Sequence, residues 1–208
     1  MKYRINEIFY SPQGEGFFVG KLRIFVRFTG CNLRCAEKPG KRSPGGFDCD
    51  TEFASGRNLT RDELIAEIGT LREQHGCNKL VLTGGEPMMQ VDEPLLEALR
   101  GAGYWLSMET NGSYEVPDGV DWITVSPKVA EHCIKQRTAN EVKYVRGYGQ
   151  ALPKTKVEAE HYYISPAFDG NMVEPRTIEW CKELVKQPDK SGRRWSVSIQ
   201  KHKVWEVR

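Results

Sequence analysis

Apolar positions in this chain follow two different periods, which take turns along its length. "RIFVRF" (Arg23 to Phe28) is rich in β-branched and aromatic residues and predicts a strand. "NLTRDELIAEIGTLREQHG" switches to helical spacing, with Leu64, Ile65, Ile68 and Leu71 on one face. Thr60 is placed to cap that helix, and Glu63 three residues on completes a capping box. "KLVLTGG" predicts a short buried strand, and "EPLLEALRGAG" a helix closed by glycine. "WLSMET", "DWITVSP", "EVKYV" and "YYISP" predict further strands, "PRTIEWCKELVKQ" a helix, and "RWSVSIQ" a last strand. Strands alternating with helices imply a parallel sheet covered by helices. A full eight-unit barrel needs about 250 residues, and this chain has 208 with fewer units than eight. The expected fold is therefore α/β, an incomplete, open (β/α) barrel forming one domain over residues 1–208. In such folds ligands gather at the C-terminal ends of the strands.

Composition narrows the surroundings. No stretch reaches the roughly 18 to 20 apolar residues of a membrane span, and the N-terminus has no signal-peptide core. A cytoplasmic protein is expected, with reduced thiols. The net charge of +2 gives no global case for nucleic acid.

The six cysteines change the picture, because three of them share one irregular stretch, "GCNLRCAEKPGKRSPGGFDCDTEF", from Gly30 to Phe53. Cys31, Cys35 and Cys49 stand at C-x3-C-x13-C, with no obvious fourth ligand inside the loop. Structural zinc usually wants four ligands. Three thiolates can instead hold three irons of a 4Fe–4S cluster and leave the fourth iron open. Zinc, a cluster and unconnected free thiols all remain readings of the loop alone. "GCNLRC" follows the first predicted strand directly, and "TGGEP" (Thr83 to Pro87) follows the next. Its adjacent glycines admit a close backbone approach, and Glu86 offers an acceptor for an amine.

Together these features resemble the radical S-adenosylmethionine superfamily, in which a three-cysteine loop follows the first strand and a GGEP-like turn the second. The resemblance implies a 4Fe–4S cluster whose open iron binds S-adenosylmethionine, cleaved by one electron to a 5′-deoxyadenosyl radical. The superfamily's usual spacing is C-x3-C-x2-C, so this loop carries an insert that must bulge outward for the thiols to converge.

Over nearly its whole length the chain is similar to one family, the 7-carboxy-7-deazaguanine synthases. The carrying segments are "NEIFYSPQGEG", "FVRFTGCNLRC", "CDTEF", "TGGEPMMQ", "METNGS", "DWITVSPK", "NEVKY" and "SIQKHK". The resemblance implies a magnesium-dependent carbon–nitrogen lyase of queuosine and 7-deazapurine biosynthesis. Such an enzyme converts 6-carboxy-5,6,7,8-tetrahydropterin to 7-carboxy-7-deazaguanine and releases ammonia. It implies a homodimer served by a reductase such as flavodoxin, with the cluster loop at residues 30–53. Cys31, Cys35 and Cys49 are then the cluster ligands, and Thr51 supplies a hard oxygen to Mg2+. Asp48, Cys49, Asp50, Gly85, Glu86, Glu109, Ser126, Pro127, Lys128, Ser165 and Pro166 face S-adenosylmethionine, with Asn111 near the ribose. "SPAFDG" departs from the family here, where glutamine often stands in place of Ser165. Pro12, Gln13, Gly14, Glu15, Arg27, Thr83, His202 and the terminal carboxylate of Arg208 face the pterin. Arg27 sits in a predicted strand, and a buried guanidinium needs an anion such as the substrate carboxylate. Val204, Trp205 and Val207 stand at positions fit for burial. Cys77, Cys133 and Cys181 are ordinary free cysteines. A glycyl-radical-enzyme activating enzyme, which takes a protein as partner, is the competing enzymatic reading, and a zinc-loop interaction module the non-enzymatic one.

Overall fold

A computed structural model describes residues 1–33, 35, 49, 51–52, 54–169, 171–187, 189 and 191–207. Nine strands form one sheet: β1 (Lys2–Pro12), β2 (Leu22–Phe28), β3 (Arg57–Thr60), β4 (Lys79–Gly84), β5 (Trp105–Thr110), β6 (Trp122–Val125), β7 (Thr138–Arg146), β8 (Glu158–Pro166) and β9 (Trp195–Val197). Their order is β3-β1-β2-β4-β5-β6-β7-β8-β9. From β2 to β9 every neighbouring pair is parallel, while β1 runs antiparallel to both β2 and β3. The curled sheet does not close, which is the open barrel that alternating strands and helices predict.

Two strands escape the sequence patterns. β1 alternates Tyr3 and Ile5 inward and then shifts register between Ile5 and Glu7, which breaks the period. β3 is four residues long and mostly polar, and it takes over Asn58 and Leu59, which the periodicity assigns to the following helix. At the other end, strand pairing covers only Trp195–Val197, so residues 198–200 leave the sheet.

The described residues also form helices α1 (Arg61–His75), α2 (Glu93–Gly101), α3 (Pro175–Lys186) and α4 (Lys201–Val204), with short 3-10 turns at Pro87–Met89 and Glu131–Cys133. α1 has both halves of its capping box: Glu63 N–H donates to Thr60 Oγ1 at 3.3 Å and Thr60 N–H to Glu63 Oε2 at 2.7 Å. Leu64 and Ile68 enter the core, and Ile65 and Leu71 pack at its edge. Gly76 ends the helix in the left-handed region, at φ 63°. Gly69 lies inside α1 with open space where a Cβ would stand. Gly69→Ala is expected to stabilise the protein by about 0.5–1 kcal/mol, because alanine loses less backbone freedom on folding. Thermal unfolding checks this, and a lowered midpoint would contradict it.

The core divides by sheet position. Ile24, Val26, Phe28, Leu80, Leu82 and Leu106 pack with residues of α1 and α2. Val142, Tyr144 and Ile164 pack with Cys181 and Leu184 of α3. The alternate residues of the strands point the other way, into the barrel. Phe9 and Phe25 stack there at 5.0 Å beside Val81, and the inward residues nearest the strands' C-terminal ends open onto a cleft.

Candidate active site

The cleft has a volume of about 830 Å³ and is lined by residues from both ends of the chain. Cys31, Cys35 and Cys49 share one part of its wall with Gly85. All three thiols are free. Burial pushes the Cys31 thiol up, and the nearby charges of Glu86, Cys35 and Cys49 push it further, against a hydrogen bond from the Leu33 backbone. Three free thiols lining one cleft are the donor set that an iron–sulfur cluster takes. Among the described residues, no three His, Cys, Asp or Glu side chains converge closely enough to hold a single metal ion.

The glycine turn serves a purpose the sequence does not reveal. Gly84 has φ 141°, and a Cβ there would lie 2.3 Å from Phe28 O. At Gly85 a Cβ would lie 2.2 Å from Gly30 O and 2.9 Å from Cys31 Cβ. Glu86 N–H donates to Gly30 O at 2.9 Å. The pair of glycines therefore lets the end of β4 press against the backbone that carries Cys31. Glu86 is fully buried behind this turn and does not line the cleft, so the expected amine contact is replaced by internal ones. It accepts from Thr110 Oγ1 at 2.8 Å, Asn111 N at 2.7 Å and Met88 N at 3.1 Å. Burial raises its carboxyl above the ordinary range against these three bonds. Asn111, held by Glu86, donates from Nδ2 to Asn32 Oδ1 at 2.9 Å and stands 4.0 Å from Cys31 Sγ. Glu86 thus orients the cysteine region through Asn111.

Register sets the middle of the cleft. Arg27 pairs with Thr83 across β2 and β4, and Thr83 Oγ1 donates to Glu109 Oε2 at 2.9 Å. Gln13 Nε2 donates to the other oxygen of Glu109 at 2.9 Å. The three polar residues expected to face ligand thus form one fixed network. Arg27 donates from Nε to Glu7 at 2.8 Å and lies over the Phe9 ring at 5.7 Å. The expectation of an anionic partner is met inside the protein at Nε, while the residue still lines the cleft. Glu7 and Phe9 belong to β1, whose broken period hides them in the sequence.

Thr51 lines the cleft beside Glu52. Glu52 binds the backbone N–H groups of Ser55 and Ala54 and the side chains of Ser55 and Asn6, and the Ser55 bonds first among these hold its carboxyl at about 2. These bonds tie the stretch after the cysteine loop to β1. Pro12, Gly14, Glu15, Ser126, Lys128, Ser165, Pro166 and His202 also line the cleft; Pro127 does not. Asp48, Asp50 and Arg208 lie outside the described residues. Gly14 has no room for a side chain, since a Cβ would lie 2.0 Å from His202 Nδ1. Val207 reaches the cleft rim, but Val204, Trp205 and Val207 are 66%, 43% and 39% exposed, which overturns their expected burial. α4 is too short to cover them. Lys143 and Gln200 also line the cleft. Sequence reasoning assigned neither a role, although Lys143 lies in "NEVKY" on β7 and Gln200 in "SIQKHK" just before α4. Cys77 and Cys181 are buried and Cys133 exposed, away from the cleft. Burial pushes the Cys181 thiol up to about 11.

The open parallel barrel and the thiols gathered at its C-terminal mouth define a protein of the radical S-adenosylmethionine type. Residues 13–103 match the family described as a 4Fe-4S single cluster domain. Full-length relatives are more specific. The chain is 35% identical to the 7-carboxy-7-deazaguanine synthase of Bacteroides thetaiotaomicron over 208 residues, covering 100% of both. It is 36% identical to that of Burkholderia multivorans over 219 residues, again covering 100% of both. The solved structure of QueE from Escherichia coli superposes with a TM-score of 0.68 at 27% identity, covering 96% of this chain and 94% of that one. The chain belongs to the 7-carboxy-7-deazaguanine synthase family.

Proposed function

We propose that this protein, a single radical S-adenosylmethionine domain over residues 1–208, converts 6-carboxy-5,6,7,8-tetrahydropterin to 7-carboxy-7-deazaguanine with release of ammonia. One observation carries this reading: the cysteines, the Gln13–Glu15 turn and His202 line one cleft although they lie far apart in sequence. When bound, the cluster and S-adenosylmethionine supply the one-electron chemistry; the protein supplies orientation and exclusion of water. Cys31, Cys35 and Cys49 hold the cluster. Gly85, Glu109, Ser126, Lys128, Ser165 and Pro166 border the S-adenosylmethionine position, with Asp48 and Asp50 near the cluster. Gln13 and His202 meet the pterin edge, and Thr51 offers an oxygen to Mg2+ between protein and substrate. Glu7 fixes Arg27 by its Nε edge, which turns the rest of the guanidinium toward a substrate carboxylate. A flavodoxin-type reductase, a second copy of the chain and a cytoplasmic setting complete the reading. A glycyl-radical activating role, which would act on a protein, is disfavoured by the full-length relatives.

Anaerobic turnover of the carboxytetrahydropterin, with a reductant and S-adenosylmethionine, tests the proposal. Product formation dependent on both supports it, and S-adenosylmethionine cleavage with no pterin consumed contradicts it. In the same system Arg27→Ala is expected to weaken pterin binding roughly 10- to 150-fold, since a hydrogen bond to a charged group contributes about 1.5–3 kcal/mol. S-adenosylmethionine binding should change little. Equal losses for the two ligands would remove Arg27 from the pterin site.

A further inference from the structure

β7 carries Glu141 and Lys143 two residues apart, so both side chains leave the strand on the same face, into the barrel. Lys143 forms an ion pair with Glu15 across 128 residues of sequence, each side chain only 12% exposed. Gln200 also bonds the Glu15 carboxylate. Glu141 accepts from Phe17 N at 2.9 Å, and its carboxylate fills the place a Cβ of Gly16 would occupy, 2.1 Å away. Gly16 N–H donates to Ser198 Oγ at 2.9 Å, and Gly14 O accepts from Lys201 N at 2.9 Å. The turn from Gln13 to Gly16 is therefore gripped from β7 on one side and from the segment after β9 on the other.

Charge explains why the grip is an ammonium. Burial opposes a charged lysine, but the carboxylates of Glu15, Glu109 and Glu141 outweigh it and hold Lys143 protonated. Burial likewise opposes ionised Glu15, and Lys143 outweighs it, keeping that carboxyl below the ordinary range. A Gly-Glu-Gly turn has little rigidity of its own; a buried, geometrically fixed charge pair provides it.

We infer that Lys143 is the positioning residue of this turn, setting Glu15, and with it the Gln13 amide, against the substrate. The inference rests on the proposed function for what the turn binds, but the placement of the turn is testable without substrate. The experiment uses the reconstituted full-length protein, Lys143→Met, and the charge-balanced double variant Glu15→Gln/Lys143→Met. Three quantities are read: thermal midpoint, hydrogen exchange of the Gly16 and Phe17 amides, and dissociation constants for carboxytetrahydropterin and S-adenosylmethionine.

Lys143→Met leaves a buried carboxylate unpaired, so its midpoint should fall. The double variant should recover the midpoint yet exchange the two amides at least tenfold faster than the parent. Its pterin affinity should be at least tenfold weaker, with S-adenosylmethionine affinity within twofold. Parent-like exchange in the double variant overturns the inference, because Lys143 then only neutralises a buried charge. Equal weakening of both ligands overturns it in favour of a general structural role. If the parent binds no pterin while exchange still rises in the double variant, the functional reading falls and the positioning role stands.

Discussion

Cys31→Ala, Cys35→Ala and Cys49→Ala are each expected to drop pterin turnover to background and to lower bound iron, while Cys133→Ala retains both. Three protein thiolates leave the fourth iron of a 4Fe–4S cluster open, so losing one thiolate takes a ligand from a set with no spare. The three positions line the same cleft, and at Cys31 burial and neighbouring negative groups disfavour a bare thiolate, a cost that a cationic group relieves. Cys133 is exposed and away from that wall; removing it should alter stability by no more than about 0.5 kcal/mol. Iron and sulfide content, visible absorption and anaerobic turnover read the outcome. Full iron and full turnover in Cys49→Ala would exclude the loop as the cluster's holder.

Gly85→Ala is expected to be strongly damaging. The added carbon would meet Gly30 O at 2.2 Å and Gly30 C at 2.7 Å, both backbone atoms, and Cys31 Cβ at 2.9 Å. No rotamer change relieves a backbone collision. Overpacking of this kind typically costs about 1–3 kcal/mol, and at roughly 2–4 °C per kcal/mol for a chain of this size the midpoint should fall by about 2–12 °C. Cys31 must also shift, so iron binding should fall beyond what stability explains. Thermal unfolding together with iron content checks this; a parent-like ratio of iron to protein would show that the turn and the thiol are independent. The comparison with Gly69→Ala is informative, since the same methyl added in open helical space should raise the midpoint.

Much of this was legible in the residues because local and global demands agree. The capping box at Thr60 and Glu63 forms as read, and the apolar face of α1 enters the core as read. The strand-end positions of Arg27, Cys31, Thr83 and Glu109 follow from the rule that ligands gather at C-terminal ends, and all four line the cleft. The failures have physical causes. β1 hides behind a register shift, so Glu7 and Phe9 could not be placed. Glu86 reads as a ligand acceptor because its motif faces the right end of β4, yet its three internal donors turn it into the wall. The exposed apolar residues after Lys203 show that hydrophobicity near a chain end does not by itself build a core. Lys143 looks like an ordinary strand lysine until the partner 128 residues away is known.

The contact of Gly14 with His202 has a consequence for how the protein is made. The first large core takes no residue beyond Val120 and the second ends within β9, at Trp195 and the adjoining Val197, so both need nothing beyond β9. The wall that supplies Ser198, Gln200 and His202 leaves the ribosome only after all nine strands, roughly a second later at bacterial or eukaryotic rates of about 5–20 residues per second. A released chain ending at that point keeps the residues of the sheet and of both cores and lacks Gln200 and His202 of the cleft. A nonsense codon just past Val197 would then spare both cores yet remove Gln200 and His202 from the cleft and the Ser198 and Lys201 bonds from the Gly14–Gly16 turn. Core formation and completion of the cleft thus draw on different stretches of the chain.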